Sequence, residues 1–256
     1  MHDGIIHCGY HKAGWSWWRK TLRDFASQVG RPFVEHSEGV DMPTWIYNDY
    51  SDWPRRSLEG ADTTPIRIIH QCVDIDTSVY RATQMIRDPR DVAVSGYFYH
   101  IWTEERWCTR TPIENGRSHQ QRLKAVDMEE GLNREIATVT TAVVKAMVAF
   151  KHYDDPAVMC VRYEDLIFRW QDAFRAAFKH YGCTDDEVEL GVELATSHHF
   201  VTASGRALGE EAPRRHCRQG TPGDWKRHFS PSNKAFFKEL MGDDLITLGY
   251  AKNNDW

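Results

Sequence analysis

The sequence predicts an α/β fold in which helices flank a central parallel β-sheet, built as one domain over residues 1–256. Short apolar runs alternate with segments of helical periodicity along most of the chain. A glycine-bounded loop that carries a lysine separates the first apolar run from the first helix. No internal repeat or low-complexity linker divides the chain, and 256 residues suffice for one large buried core.

The first strand, loop and helix form an arrangement that suits an oxyanion. Residues 5–8 are a short strand-like run, and apolar spacing predicts a helix near 15–29. The loop between them would aim backbone N–H groups and the positive end of the helix dipole at one point. Against the nucleotide-triphosphatase loop pattern, Ser16 fits the hydroxyl position, but Trp15 occupies the lysine position and the lysine, Lys12, lies inside the loop. This argues against a standard ATP or GTP hydrolase, and an ordinary strand-to-helix turn stays an alternative.

The remaining elements follow from the same periodicity. Further strands are predicted at 31–36, 66–72, 82–86 and 158–163, and further helices at 89–100, 133–152, 164–181, 185–197, 198–208 and 234–249. Residues 37–64 are predicted to be an aromatic-rich loop that walls a pocket or packs on the surface, and residues 103–120 a polar, mobile loop on the substrate side.

Polar residues at the ends of two predicted strands are candidates for chemistry. His70 lies toward the end of the third predicted strand, and the carboxyl ends of parallel strands face the ligand crevice, so it is a candidate general base. Arg87 closes the fourth strand, and Ser95 lies two turns into the next helix, where both suit a second anion. Pro89 fits the first turn of that helix, and Asp88 fits its cap. A buried core histidine and a surface or capping arginine are the ordinary alternatives.

Charge and composition limit the function classes. The net charge of −5 and the isoelectric point near 6.2 argue against general nucleic-acid binding. The basic, glycine-broken segment 214–228 therefore indicates either a local anionic ligand or a solvated flap. The chain starts directly with a strand and has no long apolar run, which predicts a cytoplasmic protein that does not enter a membrane.

Six cysteines stand at scattered positions without a C-x-x-C pair. This spacing favours reduced, mostly buried thiols over disulfides or a zinc site. The thirteen histidines also lack metal-ligand spacing, and the adjacent pair His198 and His199 would point apart on a helix. No metal is predicted.

Four segments, taken in order, resemble the motifs of the cytosolic sulfotransferase family, which uses 3′-phosphoadenosine 5′-phosphosulfate (PAPS). Residues 12–17 resemble the family's Lys-Ser-Gly-Thr-Thr-Trp motif, and residues 87–95 are a close match to its 3′-phosphate motif. Residues 163–166 are similar to its adenine-side motif, and residues 218–226 to its C-terminal motif. Together they span nearly the whole chain, and their shared order makes coincidence improbable.

The resemblance implies a role for each matching residue. The 5′-phosphosulfate would be held by Lys12, Ala13, Gly14, Trp15, Ser16 and Trp17, with Trp17 stacking near the adenine. The 3′-phosphate would be held by Arg87, Ser95, Arg218 and Gly220, with Gln219 also counted as cofactor-binding, and the nucleoside by Tyr163 and Ser197. Catalysis would use Lys12 and Ser16 at the leaving phosphate and His70 as the base that takes the acceptor proton, without a metal.

The chain departs from the family pattern at three of these positions. Trp15 replaces a threonine and removes a hydroxyl donor, and Gln219 replaces a lysine and removes a charge. His70 lacks the lysine and proline that flank the family's histidine. A kinase of the P-loop type and a non-catalytic nucleotide-binding module remain the alternative functions.

The acceptor is predicted to be a small molecule. Side chains that suit an aromatic or cationic compound are Trp45, Tyr47, Trp53, Trp102, Glu104, Glu105 and Trp107. The choice between a hydroxyl and an amine acceptor stays open, as does a homodimer.

Overall fold

The structure is a computed structural model that describes residues 4–36, 64–110 and 112–256. Most of the predicted aromatic-rich loop, residues 37–63, lies outside the described residues. The described chain divides into two compact units. The first unit comprises residues 4–36, 64–87 and 149–208, and the second comprises residues 88–110, 112–148 and 209–256.

The strands form one parallel sheet and one hairpin. They are β1 (Gly4–Gly9), β2 (Phe33–His36), β3 (Ile66–His70), β4 (Tyr80–Ile86), β5 (Pro112–Glu114), β6 (Arg117–Ser118) and β7 (Val158–Arg162). The sheet belongs to the first unit, has the order β2-β3-β1-β4-β7, and all its neighbours are parallel. The carboxyl ends of its strands therefore share one edge, where ligands bind in open α/β sheets.

The helices are α1 (Trp15–Gln28), α2 (Pro89–His100), α3 (Arg106–Thr109), α4 (His119–Lys124), α5 (Met128–Glu135), α6 (Thr141–Ala149), α7 (Tyr163–Phe168), α8 (Trp170–His180), α9 (Asp185–Ser197), α10 (Phe200–Ser204), α11 (Trp225–His228) and α12 (Pro231–Thr247). A π-helical segment, Ile136–Thr140, joins α5 to α6. The prediction of an α/β fold with helices flanking a central parallel sheet is confirmed. Among the described residues, no helix is both long and apolar enough to cross a bilayer.

Alternate side chains of β1 explain how the sheet is buried on both faces. Ile5 packs into a cluster with α1, α8 and α9, whose members include Trp18 and Phe174. Ile6 points to the opposite face and packs against Phe150 and Cys72. This two-sided burial accounts for the near-continuous apolar runs, since strands of a parallel sheet are covered on both faces.

The second unit begins with α2, which starts as the sequence predicts. The Asp88 side chain caps the helix by accepting a hydrogen bond from Arg90 N at 2.9 Å, and Pro89 occupies the first turn. Arg90 in turn binds both carboxylate oxygens of Asp88, and its guanidinium contacts the rings of Trp225 and Trp256, 4.0 and 4.6 Å from their centroids. The start of α2 is therefore fixed by both polar and stacking contacts.

The prediction of an irregular loop at 103–120 is wrong. This segment contains α3, the β5–β6 hairpin and the start of α4. Asn115 and Gly116 both have positive φ, 51° and 71°, which the tight two-residue hairpin turn needs and which Asn-Gly favours. Ser118 and Gln121 then form a capping box at the start of α4.

Other boundaries differ in smaller ways. The helix predicted at 133–152 begins earlier, at Met128, where Asp127 caps it, and contains the π-helical segment. The helix predicted at 164–181 is interrupted at Arg169. All six cysteines are free thiols, of which Cys160 and Cys217 are exposed.

Candidate active site

The loop between β1 and α1 requires a glycine at its last residue, Gly14. Gly14 has φ +94° at the N-cap of α1, a conformation that side-chain-bearing residues rarely adopt. A Cβ there would lie 2.1 Å from Met85 Cε and 3.2 Å from Tyr163 Cδ2. Only glycine therefore lets the backbone pass this close to β4 and α7.

The first turn of α1 is suited to an anion. Gly14 offers no side chain to cap it, and the turn contains no acidic residue. Lys12 precedes it in the loop, is 9% exposed and has φ +61°. A buried lysine and the positive end of a helix dipole thus occupy the same loop, which favours a bound oxyanion.

Arg87 connects the loop to two other predicted motifs. Its guanidinium donates a hydrogen bond to Lys12 O at 2.8 Å and lies over the ring of Tyr163, 4.2 Å from the centroid. Arg87 is 9% exposed, and Tyr163 is also buried. Three segments that are distant in the sequence therefore meet at the carboxyl ends of β1, β4 and β7, within the first unit.

Trp17, which the resemblance assigns to stacking near the adenine, packs against α8 and α9. Its indole N–H donates to Ala195 O at 2.9 Å, and its ring is 5.4 Å from that of Phe174. Ser197, predicted on the nucleoside side, is exposed at the end of α9, and its hydroxyl donates to Leu194 O at 2.7 Å. α9 therefore fixes the orientation of the Trp17 indole.

Sequence reasoning missed an aromatic pair beside Trp17. The ring of His199 stacks on Trp170 with a centroid separation of 4.1 Å and lies 5.3 Å from Trp17. Its neighbour His198 instead contacts Asp24 at 2.7 Å, so the two histidines point apart as predicted. Burial lowers the pKa of His199. The nearest signal in the sequence is its position directly after Ser197 and His198.

His70 is half-buried at the end of β3, opposite Gly9 of β1 in the parallel register. Two aromatic rings lie against it. Trp15 contacts it edge-on with a centroid separation of 5.1 Å, and His11 lies 6.0 Å away. Burial lowers the pKa of His70 to about 4, although the charge of Glu35 acts in the opposite direction. The imidazole is therefore neutral near pH 7 and able to accept a proton.

Trp15 fills the position where the family pattern has a threonine. Its six-membered ring covers Gly9, because a Cβ at Gly9 would lie 2.5 Å from Trp15 Cε3. The indole thus covers the end of β1 and contacts His70. Its side chain therefore packs toward the candidate base, and only its backbone N–H is available to the anion-binding turn.

In the second unit, Arg218 lies close to the helix that carries Ser95. Its guanidinium is over the ring of Phe98, which is one turn beyond Ser95 on α2, 4.3 Å from the centroid. Arg218 also pairs with the carboxylates of Asp224 and Glu211. Burial raises the pKa of Asp224, but hydrogen bonds from His228 and Arg218 outweigh it and bring the pKa to about 2.

The segment around Gly220 is anchored to α2 by one carboxylate. Asp91 is 1% exposed and accepts hydrogen bonds from Gly223 N at 2.6 Å and Trp225 N at 2.9 Å. Gln219, which replaces the family's lysine, is buried and donates to Thr221 Oγ1 at 3.0 Å. The structure therefore brings Ser95, on α2, into the same unit as the predicted C-terminal motif.

The described candidates for an acceptor wall take part in internal packing. Glu105 accepts hydrogen bonds from Tyr99 at 2.7 Å and from the Trp107 indole at 2.6 Å. Trp102 lies edge-on to Tyr99, and Glu104 is exposed. The other predicted members, Trp45, Tyr47 and Trp53, lie outside the described residues. The sequence also predicts no metal ligands, whereas among the described residues His100, His119 and Glu135 form one buried group that could hold an ion.

The sequence profile described as "Sulfotransferase domain" matches residues 3–249. The chain belongs to the sulfotransferase family. Sulfotransferase 6B1 from Danio rerio is 23% identical over 261 aligned positions, which cover 95% of this chain and 78% of that protein. The kinase alternative is therefore wrong.

Two solved structures share the fold of this sulfotransferase. Mouse sulfotransferase SULT7A1 complexed with PAP is 16% identical with a TM-score of 0.57, covering 96% of this chain and 85% of that one. Retinol dehydratase in complex with retinol and PAP is 14% identical with a TM-score of 0.56, covering 95% of this chain and 81% of that one.

Proposed function

We propose that this sulfotransferase moves the sulfuryl group of PAPS to a hydroxyl or amine of a small molecule and releases adenosine 3′,5′-bisphosphate (PAP). The observation that carries the proposal is the hydrogen bond from Arg87 to Lys12 O, together with the stacking of Arg87 on Tyr163. It unites three of the four motifs on which the family resemblance depends. PAP in the mouse sulfotransferase and in retinol dehydratase supports the donor.

The residues present fit an adenylate that carries phosphate groups. The loop that ends at Gly14 supplies backbone N–H groups at the N-terminus of α1, and the buried Lys12 supplies a positive charge in the same loop. Arg87 supplies a planar fork that matches phosphate geometry. Ser95, Arg218 and Gly220 keep their predicted assignment to the 3′-phosphate through the resemblance, and Gln219 keeps its assignment to cofactor binding.

The reaction needs charge stabilisation and one base. The acceptor atom attacks sulfur as the bond from sulfur to the bridging phosphate oxygen breaks, and the electron pair leaves with that oxygen. Lys12 and Ser16 stabilise the charge that grows there, and the acceptor proton passes to the neutral imidazole of His70. A half-buried imidazole at the edge of the sheet favours this enzyme over a non-catalytic nucleotide-binding module.

For the acceptor we propose a small molecule. Retinol dehydratase has been solved with androsterone and with retinol, each alongside PAP, which supports an acceptor of that size. An aromatic or cationic acceptor, a homodimer and a cytoplasmic location remain predictions from the sequence.

The binding role of Arg87 can be tested by calorimetry with PAP. Arg87→Ala removes a buried charge partner and is expected to cost about 2–5 kcal/mol, roughly 30- to 5,000-fold in Kd. Arg23→Ala is the matched control, because Arg23 lies half-exposed on α1 and pairs only with its neighbour Asp24 in the contacts described. Equal affinity of wild type and Arg87→Ala would refute the proposal.

The catalytic role of Lys12 can be tested by steady-state transfer of radiolabelled sulfate from PAPS. Lys12→Ala is expected to lower kcat by about 100-fold or more with a small change in the acceptor KM, because charge stabilisation acts mainly in the transition state. Lys20→Ala, an exposed lysine of α1, is the control and is expected to keep full activity. A rise in acceptor KM at unchanged kcat would contradict this role.

A further inference from the structure

Three buried side chains from three helices converge in the second unit. His100 is the last residue of α2, His119 the first of α4, and Glu135 the last of α5. Glu135 Oε2 lies 2.8 Å from His100 Nδ1 and 2.7 Å from His119 Nε2. The side chains of both histidines are 0% exposed and that of Glu135 is 1% exposed.

We propose that His100, His119 and Glu135 bind one divalent transition-metal ion, with Zn²⁺ as the best match. Two imidazole nitrogens and one carboxylate oxygen are a donor set that zinc accepts in proteins. Their donor atoms all lie within 4.8 Å of one another. None of these three residues is among those assigned above to the donor or to the acceptor.

The placement of the two rings fits a common ion. Two imidazoles bound to one zinc ion at about 2.0–2.1 Å with a tetrahedral angle have ring centroids about 5.2 Å apart. The centroids of His100 and His119 are 5.2 Å apart. The carboxylate of Glu135, at the end of α5, supplies the third donor atom.

Charge balance gives a second reason. A carboxylate as buried as that of Glu135 needs a positive partner, because an uncompensated charge in the interior costs several kcal/mol. A divalent cation supplies it while both imidazoles stay neutral. His119 Nδ1 makes no hydrogen bond among the described residues, so the tautomer of this ring is set on its other side, by Glu135 or by the ion.

The fourth position on the ion would be taken by water, as in zinc sites with three protein ligands. Cys108 is fully buried beside the group, and its thiol donates to His100 O at 3.6 Å instead of joining the three donor atoms. The half-buried Trp107 also lies against the group, edge-on to His100 with a centroid separation of 5.1 Å and stacked near His119 at 6.2 Å.

The ion would have a structural role for α2. Glu135 packs directly on this helix, since a Cβ at Gly96 would lie 2.4 Å from Glu135 Oε1. Gly96 is the neighbour of Ser95, which the resemblance assigns to the 3′-phosphate. A metal ion at this place would join the end of α2 to the start of α4 and the end of α5.

Metal binding can be measured on the full chain without any assay of activity. Metal-free protein is titrated with Zn²⁺ in competition with a chromogenic chelator, and separately with Co²⁺ while its visible absorption is followed. We expect one equivalent to bind tightly and Co²⁺ to give the intense bands of a four-coordinate site. His119→Gln should weaken Zn²⁺ binding by at least about 100-fold. The loss of a residue that only supports a metal ligand typically costs about 10- to 100-fold in affinity, and the loss of a ligand itself costs more.

The matched control is His7→Gln, a fully buried histidine of the first unit that binds Thr83 and should leave the stoichiometry unchanged. X-ray absorption of the zinc-loaded wild type is the second measurement and does not depend on the folding of His119→Gln; two imidazole nitrogens are expected at about 2.0–2.1 Å. The proposal is overturned if the wild type binds no stoichiometric Zn²⁺, if His119→Gln binds it unchanged, or if the absorption spectrum lacks imidazole ligands. The group is then a proton-sharing triad of two imidazoles and a carboxylate.

Discussion

Asp91 should be one of the most sensitive polar positions in the second unit. Its carboxylate is buried, and its two oxygens each accept a backbone hydrogen bond, from Gly223 N and Trp225 N. Asp91→Asn keeps the size of the side chain but replaces one acceptor with an NH₂ donor. One of the two N–H groups, of which that of Trp225 is buried and that of Gly223 is partly buried, then faces a donor and loses its partner.

The expected cost follows from those two contacts. An unsatisfied buried N–H costs about 1–3 kcal/mol, and the remaining hydrogen bond becomes neutral and loses roughly another 1 kcal/mol. The free energy of unfolding should fall by about 2–4 kcal/mol. For a chain of this length, 1 kcal/mol corresponds to about 2–4 °C in Tm, which predicts a decrease of roughly 5–15 °C.

Scanning calorimetry of the full chain tests this estimate. The matched control is Asp172→Asn, because the side chain of Asp172 is 81% exposed and reaches Arg175 only at 3.9 Å. Exposed pairs of this kind contribute about 0–1 kcal/mol, so the control should melt within about 2 °C of the wild type. The reasoning fails if Asp91→Asn melts as high as the wild type, or if both variants lose the same amount.

Three further outcomes are expected. Gly14→Ala should lower the free energy of unfolding by about 2–4 kcal/mol in urea denaturation, because its Cβ would strain the left-handed backbone and meet Met85 Cε at 2.1 Å. Since burial lowers the pKa of His70 to about 4, kcat/KM should stay constant from pH 8 to about 5.5. Trp15→Thr should open the imidazole to water, so the pH at which kcat/KM falls on the acid side should rise toward the ordinary histidine pKa of about 6.5. Burial lowers the pKa of His7 to about 3, so below pH 6.5 the unfolded chain binds a proton that the native chain does not. As the pH decreases from 6.5, His7 should therefore lower the free energy of unfolding by about 1.4 kcal/mol per pH unit.

Matched variants separate these effects from general damage. Gly30→Ala has a similar positive φ, 67°, but nothing within 4 Å of the new Cβ, so it should cost less than Gly14→Ala. Trp15→Phe keeps an aromatic ring beside the imidazole and should preserve the pH profile of kcat/KM. His7→Gln should reduce the pH slope of unfolding by about one proton, whereas the exposed His216→Gln should not change it. The first prediction is wrong if both glycine variants lower the free energy of unfolding equally. The second is wrong if Trp15→Thr keeps the pH profile of kcat/KM, and the third if His7→Gln keeps the pH dependence of the free energy of unfolding.

Local sequence was sufficient for most of the fold. Apolar runs buried on both faces of the sheet identified its strands, and Asp88 with Pro89 identified the start of α2. The hairpin at Asn115 and Gly116 could also have been predicted, because Asn-Gly is the strongest short hairpin signal. The π-helical segment and the interruption at Arg169 could not, since tertiary packing rather than local preference decides where a helix is broken.

The candidate site was predictable only in part. The resemblance located Lys12, Arg87 and Tyr163, and the structure brings them into contact within the first unit. It could not locate the group of His100 and His119, because these residues come together through three helix ends whose packing has no short-range signal. Chemistry built from long-range side-chain contacts is accessible only from the structure.

Under the proposed function, Trp15 would affect both donor binding and proton transfer. Its backbone belongs to the first turn of α1, which suits the anion, while its indole covers Gly9 and lies against His70. The threonine of the family pattern would contribute a hydroxyl to the anion and leave the imidazole more exposed to water. Under the proposed function, Trp15 removes that hydroxyl donor and shields the imidazole of His70 from water. Variants of Trp15 should therefore change the pH dependence of the rate and the affinity for PAP together, whereas variants of Lys20 should change neither.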